Sequence, residues 1–359
     1  MIPLDLLSPE FEADTNRAYA TWRTEWDAKH FPAHDACVVI GYEAAVAVLK
    51  DTARFSSSVF EPLTSPLLHA ADPPAHTELR RAVAPFFTPS RQAAAGASLS
   101  RIAHTAAERV RKKGRLRVLA DFAEPIPLDF ACEWFGIEKD VGTFLLTQGA
   151  HDARWKKVKK GLIKGGVFEQ MNDAGVLPPE DFAQLAAFFM SAAVTTTRDF
   201  LWLALRTLGR YPAAIDHFTD EPASIDGVVD ELLRLEPPAH ALIRRTRCDV
   251  NLGGSDLTQG TIVWISLAAA NRDPKVFDRP DEIIPGRTGP RHLTFGNGPH
   301  FCLGSHIGKM IGSAALRSFL PLIRPAYLDG KIPPLRFDRR TQLPIMWHPT
   351  EWEVPVAVS

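Results

Sequence analysis

The 359-residue chain is poor in cysteine, in net charge and in long apolar runs. Its four cysteines, Cys37, Cys132, Cys248 and Cys302, lie far apart, so there is no Cys-x-x-Cys pair and no disulfide-framework spacing. A reducing compartment is the simplest expectation. Lys and Arg number 41 against 42 Asp and Glu, a formal net charge of -1. That balance excludes a nucleic-acid-binding arm and a polybasic membrane anchor, each of which needs an excess of one sign. Met1-Ile2-Pro3-Leu4-Asp5 has neither a basic n-region nor an apolar h-region and does not read as a signal peptide. No apolar run approaches the ~18 residues that span a bilayer. The expectation is a soluble, cytoplasmic protein with no membrane and no nucleic acid among its partners.

What is present is ordinary globular composition, 45% hydrophobic and 23% charged. A chain this long buries about 75% of its unfolded surface and needs no staples to fold. Nothing repeats at a fixed period. Periodicity predicts helices over Asp14–Asp27, Tyr42–Lys50, from His76, Ser98–Arg111, Phe122–Phe135, Ile225–Leu235 and after Cys302. The longest, Glu180–Leu208, is apolar nearly all round, as a helix buried in a large core must be. Its middle is polar, Thr195-Thr196-Thr197. Hydroxyls there either bend a core helix by bonding to the i−4 carbonyl or line a reactive cavity. Ala36–Ile40 reads as a strand. Arg244–Leu252, Gly253-Gly254 and Thr261–Ser266 read as strand, turn, strand. The fold class expected is mainly α with minor β, in one domain over residues 1–359.

The segment Phe295-Gly296-Asn297-Gly298-Pro299-His300-Phe301-Cys302-Leu303-Gly304 carries the most information. Three glycines in ten residues allow a tight loop and close backbone approach. The cysteine precedes a helix, whose N-terminal N–H groups favour a thiolate. Such a thiolate is an iron ligand or a nucleophile. His300, Cys302 and His306 also suggest a zinc site lacking an obvious fourth ligand, and His300 suggests a base for a nucleophilic cysteine. From the loop alone these alternatives stay open.

The loop resembles the haem-binding loop of the cytochrome P-450 family, Phe-x-x-Gly-x-x-x-Cys-x-Gly, matched by Phe295, Gly298, Cys302 and Gly304. The family's Glu-x-x-Arg mark is met by Glu231-Leu232-Leu233-Arg234, 71 residues before the cysteine. Arg287 sits where a second arginine completes a triad with them. Asp72–Arg81 resembles the start of the family's C helix, and Asn271–Pro274 with Phe277 and Arg279–Glu282 its meander. Arg244-Arg245 is expected just ahead of a strand. The resemblance implies a soluble bacterial-type haem-thiolate protein with the P-450 fold. It implies haem b as cofactor, Cys302 as the iron's ligand, and His76, Arg80, Arg244 and His300 as partners of the haem propionates. Arginine clamps a carboxylate bidentately, and a thiolate ligand favours O–O cleavage.

Two departures stand out. The family's Ala-Gly-x-acid-Thr, in which acid and threonine relay protons to dioxygen, reads Ala192-Ala193-Val194-Thr195-Thr196 here. Thr196 is kept as a catalytic candidate, while Thr195 replaces the acid and cannot act as a proton reservoir. Second, the family's two long roof helices over the substrate must fit between Phe144 and Gly165. Gly161, Gly165 and Gly166 weaken any helix there. This stretch contains six cations in the eleven residues Arg154–Lys164, either a solvated face or a surface for an acidic partner. An open distal face is the expectation.

The resemblance thus implies a monooxygenase-type oxidation of an organic, biosynthetic intermediate, a small molecule or a large or carrier-tethered one. Electrons are expected from a ferredoxin- or flavin-type donor. The alternatives are a haem-thiolate enzyme running on peroxide or catalysing dehydration or rearrangement, and a non-catalytic carrier-binding relative. The pocket is expected from Ser58–Ala71, the long helix, Ala239–Ile243 and Leu343–Ile345.

Overall fold

The structure, a computed structural model, describes residues 11, 14–59, 68–147, 154–211, 214–215, 218, 224–323, 332–336 and 346–357. Leu343–Ile345, Met1–Asp5 and most of the Ser58–Ala71 loop lie outside them.

Three helices belong to the N-terminal region. Helix α1 (Thr15–Arg23) starts on the Asp14 side chain, which accepts from the Arg17 N–H. Helices α2 (Tyr42–Lys50) and α3 (Ala75–Val83) follow. Then come α4 (Pro89–Ala94), α5 (Gly96–Lys113) and α6 (Pro125–Phe135). The expected start of α6 at Phe122 is corrected. Residues Val118–Ala123 form a wider π turn, and Pro125 opens the α-helix, where its missing N–H costs nothing.

Two short helices, α7 (Lys139–Thr147) and α8 (Arg154–Gly161), fill the described part of the expected roof stretch. At ~1.5 Å per residue they are about 13 and 12 Å long. Helix α9 (Val167–Asp173) leads into α10 (Pro179–Arg210), which runs through the core. Phe182, Leu185, Met190, Phe200, Leu201, Trp202, Leu203, Leu205 and Leu208 are all buried along it. Only a helix embedded among others hides side chains on every face, and α10 packs on α6, α7 and α8 and on α11 (Ile225–Leu235).

As expected of residues that weaken a helix, Gly161 ends α8, and Gly165 and Gly166 lie in the turn before α9; at Gly161 and Gly166 packing adds a second reason. A Cβ on Gly161 would lie 2.6 Å from Val141 Cγ2, and one on Gly166 would lie 2.6 Å from Gly136 Cα. The chain needs glycine there because α7 and the α6 C-terminus approach so closely.

The main sheet has the order β1-β2-β8-β5-β3. Its members are β1 (Ala28–Phe31), β2 (Ala36–Val39), β3 (Phe55–Ser56), β5 (Ala241–Thr246) and β8 (Ile262–Ser266). Strands β2 and β8 pair in parallel and β5 and β8 antiparallel. Strand β4 (Arg115–Arg117) pairs with β9 (Glu353–Pro355). The expectation of one strand over Arg244–Leu252 is overturned: β5 ends at Thr246, and β6 (Val250–Leu252) forms its own hairpin with β7 (Ser255–Leu257). Gly253 and Gly254 both have positive φ, 58° and 82°. Two such residues make a two-residue hairpin turn, which joins only immediately adjacent strands. Arg244 and Arg245 likewise lie within β5, not ahead of a strand. Their side chains fall on opposite faces, Arg244 buried and Arg245 exposed. Helix α12 (Leu267–Ala270) and helix α13 (Ser305–Phe319) complete the labelled elements.

Candidate active site

The Cys302 loop is held from within. Asn297 accepts the Gly298 N–H at 2.7 Å, Phe301 N–H donates to Gly298 O at 3.0 Å, and Cys302 N–H donates to Phe295 O at 2.9 Å. Gly298 has φ 69°, and a Cβ there would lie 2.8 Å from Leu49 O at the end of α2. Glycine is therefore required twice over, by conformation and by contact. Helix α13 opens three residues after Cys302.

The root of the loop is fixed from behind. Asn271 accepts the Leu293 N–H at 2.6 Å and donates to Thr294 Oγ1 at 3.0 Å, and Thr294 donates to Leu233 O at 2.7 Å. The same helix α11 carries Glu231 and Arg234, paired at 2.7 and 2.9 Å. Arg287 reaches Glu231 at 3.0 Å, and Arg234 also donates to the carbonyls of Asn271, Pro280 and Glu282. The three side chains expected to form a triad are brought together. Asn271 and Thr294 were missed as ties, since a lone amide and hydroxyl have no pattern until the chain folds.

Cys302 is exposed yet densely surrounded by protein, so it faces a cleft inside the fold. Burial pushes its thiol up, against the Gly304 N–H and the Arg80 charge, which favour the thiolate. The Gly304 N–H acts toward the thiolate as expected of the loop, the Arg80 charge adds to it, and desolvation is the larger, opposing effect.

Beside it four cationic or donor side chains converge. His76 and His300 lie ring to ring at 3.9 Å. His300 shares a hydrogen bond with Ser57 Oγ at 3.1 Å, and Arg80 donates to Phe301 O at 2.6 Å. Arg244 is buried, with a bond to Ile243 O at 2.8 Å. Burial pushes Arg244 down to about 10, with Asp72 working against the shift. His300 is pushed down to about 3 by burial, then by His76 and Arg244. Both ring nitrogens of His76 are buried without a hydrogen-bond partner. Such orphans cost about 1–3 kcal/mol each unless a ligand completes them. A group bringing two carboxylates and a metal that binds thiolate fits this cluster: donors of one sign beside an enclosed sulfur.

The rival chemistries for the loop are not supported. Among the described residues no group of three or more His, Cys, Asp or Glu could hold a metal ion, which removes the His300–Cys302–His306 zinc site. His300 bonds Ser57 and stacks on His76, and it does not figure among the groups acting on the Cys302 thiol. It is not placed as that cysteine's base.

On α10, Phe188, Ala192, Thr195, Thr196 and Asp199 follow helical spacing and form one stripe. Ser191 and Ala192 are exposed, and Ala193, Thr195 and Thr196 are half-buried, in the middle of a helix most of whose other side chains are buried. The stripe thus lines a space. Thr196 Oγ1 donates to Ala192 O at 2.6 Å, the back-bond the polar run allows. Asp199, one turn on, is buried and paired with Arg198 at 2.7 Å. His69 stacks on Phe188 with ring centres 4.7 Å apart.

The sequence pattern that defines Cytochrome P450 matches residues 162–350. The chain is 26% identical to the 6-deoxyerythronolide B hydroxylase of Saccharopolyspora erythraea, over 88% of this chain and 90% of that one. It is 27% identical to the cytochrome P450 monooxygenase PikC of Streptomyces venezuelae, over 92% and 88%. Among solved structures it superposes on P450BioI, in complex with an acyl carrier protein ligated to hexadec-9Z-enoic acid, with a TM-score of 0.81 at 23% identity, covering 97% and 100%. No helix among the described residues is long and apolar enough to cross a membrane. With the family pattern spanning the Cys302 loop, the Glu231–Arg234 helix and all of α10, the chain belongs to the cytochrome P450 family and is a haem-iron oxidoreductase.

Proposed function

We propose that this chain is a monooxygenase that oxidises a biosynthetic intermediate, with haem b held by Cys302 and working as one unit over residues 1–359 in the cytoplasm. The observation that carries the reading is the cluster of His76, Arg80, Arg244 and His300 around the enclosed Cys302, with both His76 ring nitrogens unsatisfied. When bound, the haem iron supplies the redox chemistry that activates the oxidant. The Cys302 sulfur is the ligand, and the four side chains hold the propionates through charge-assisted bonds. His76 and His300, depressed by burial and by the neighbouring arginines, are the groups whose protonation responds to those carboxylates.

On the distal side Thr196 spends its own proton on Ala192 O, so Oγ1 offers lone pairs to water in the cleft. Thr195 adds a second hydroxyl. Together they orient water and pass a proton without storing one. Electrons come from a ferredoxin- or flavin-type donor. A biosynthetic substrate is supported by relatives named for biosynthesis, the polyketide biosynthesis cytochrome P450 PksS and the biotin biosynthesis cytochrome P450 of Bacillus subtilis. A second reading, peroxide-driven oxidation, is favoured by one observation: the family's acid is Thr195, and the nearest carboxylate on the stripe, Asp199, is committed to Arg198. The test is turnover with NAD(P)H, a reductase chain and dioxygen against turnover with peroxide alone. Product dependent on the reductase supports the first reading, and equal product from peroxide without electrons supports the second.

A further inference from the structure

Helix α8 is cationic on its outer face. Lys156, Lys157, Lys159 and Lys160 are exposed, and so is Lys164 just beyond it. The inner face is apolar: Val158 is fully buried, and Trp155 meets the Phe182 ring edge-on at 5.8 Å. Lys157 lies 3.6 Å over the Phe144 ring. Elsewhere Lys113, Lys139, Lys275 and Lys309 are each paired with an aspartate, while among the described residues Lys29, Lys50 and Lys112 also lack an ion pair. Among the described residues no ion pair involves the five lysines of this ridge. Next to them stands Ile163, 47% exposed, the one large hydrophobic side chain on the surface among the described residues. Five like charges repel one another in a chain whose formal net charge is only -1. A cationic ridge beside an apolar knob has the composition of a docking surface, with charge for steering and an apolar contact for hold.

Its position narrows the partner. Helix α8 packs on α7 and, through Trp155 against Phe182, on the N-terminal end of α10, fourteen residues before Thr196. An electron donor gains by approaching the loop that holds Cys302; a partner on α8 stands instead at the roof. From Phe182, under α8, to Thr196 is about 21 Å along α10 at ~1.5 Å per residue. A group delivered from a partner on α8 therefore needs a tether of that order.

We infer that α8 with Lys164 and Ile163 docks an acidic carrier protein that presents the substrate on a flexible tether. The inference rests on the proposed oxidation of a biosynthetic intermediate and names how that intermediate arrives. The complementary partner is a small acidic protein, and the steering weakens as salt shortens the Debye length from about 14 Å toward 6 Å.

The test uses the haem-loaded full chain and, as probe, an acyl carrier protein bearing a hexadecanoyl thioester. Binding is measured at low and high salt in the wild type and in Lys156→Glu/Lys159→Glu/Lys160→Glu, with Ile163→Ser as a separate variant. Expected is binding that falls about tenfold or more on charge reversal and on raising salt, with the carbon monoxide spectrum of both variants unchanged. Absence of binding, or binding equal in wild type and charge-reversed chain, overturns the docking surface and leaves the haem reading intact. A loss confined to a ferredoxin, or to vesicles containing phosphatidylglycerol, overturns it in favour of those partners. If the wild type lacks the thiolate carbon monoxide band, the proposed function falls, while the binding arm still reads the surface.

Discussion

The cysteine side and the roof of this molecule are built on different rules. Behind the Cys302 loop the side chains are tied to one another: Asn271 and Thr294 fix the loop root to α11, and Glu231, Arg234 and Arg287 lock α11 to the chain beyond. At the roof, α7 and α8 are held by apolar contacts and glycine-sized gaps, with the charges left facing outward. A site that must hold a ligand atom in one place needs buried, satisfied networks. A surface that meets different substrates or partners is free to vary in length and charge.

The largest expected effect breaks the rigid side. Arg234→Ala leaves the buried Glu231 with Arg287 as its remaining cation, and removing one partner of a buried pair costs about 3–5 kcal/mol. Urea unfolding should show that loss, along with a low yield of haem-loaded protein. Arg234→Lys should rescue only part, because one ammonium cannot reproduce the fork that serves Glu231 and three carbonyls. A loss under about 1 kcal/mol would mean the network is no firmer than a surface pair.

Next comes the distal threonine. If Thr196 relays protons as proposed, a role worth on the order of 100-fold, Thr196→Ala should raise peroxide release relative to product while the fold keeps its stability. Equal coupling in variant and wild type would leave Thr196 only its back-bond.

Within the roof, Gly161→Ala drives a methyl into Val141 and should cost about 1–3 kcal/mol. Gly165→Ala meets open space but must hold φ near 79°, so strain of about 1–2 kcal/mol is its only penalty. If Gly161→Ala is neutral, the roof is looser than its close contacts suggest.

A pH series sharpens the contrast further. His300, held down to about 3, and His76, also lowered, stay neutral in the folded chain. An unfolded histidine takes its proton near 6.5, so the unfolded state binds more protons as pH falls. The haem-free protein should therefore lose stability from about pH 6.5 downward toward 3, with little change above. His300→Asn should flatten part of that decline. The smallest effect is expected from Lys159→Glu, within about 0.5 kcal/mol on stability, as for a solvated position.

How far the sequence could be read follows the same division. Phe295, Gly298, Cys302, Gly304, Glu231 and Arg234 are legible because their spacing is imposed by one loop and one helical turn. The convergence of His76 with His300 came only through the family resemblance, since residues more than two hundred positions apart share no local pattern. The Gly253-Gly254 turn was visible but was assigned to the wrong strands, because two glycines mark a hairpin without saying that Thr246 ends the strand before it. Strand β1, Ala-Lys-His-Phe, escaped notice as an edge strand with lysine and histidine on it, residues that discourage edge pairing rather than signal a strand. Gly161 and Gly166 read as helix breakers, and their tight contacts with Val141 and Gly136 are tertiary facts.

The central claim is that Cys302 is the haem's sulfur ligand inside a cluster made for its carboxylates. The most direct measurement is the ferrous carbon monoxide spectrum of the purified chain and of Cys302→Ser and Cys302→His. The account predicts the strongly red-shifted thiolate band in the wild type and its loss in both variants. Haem bound with an unchanged spectrum after Cys302 is replaced would contradict it.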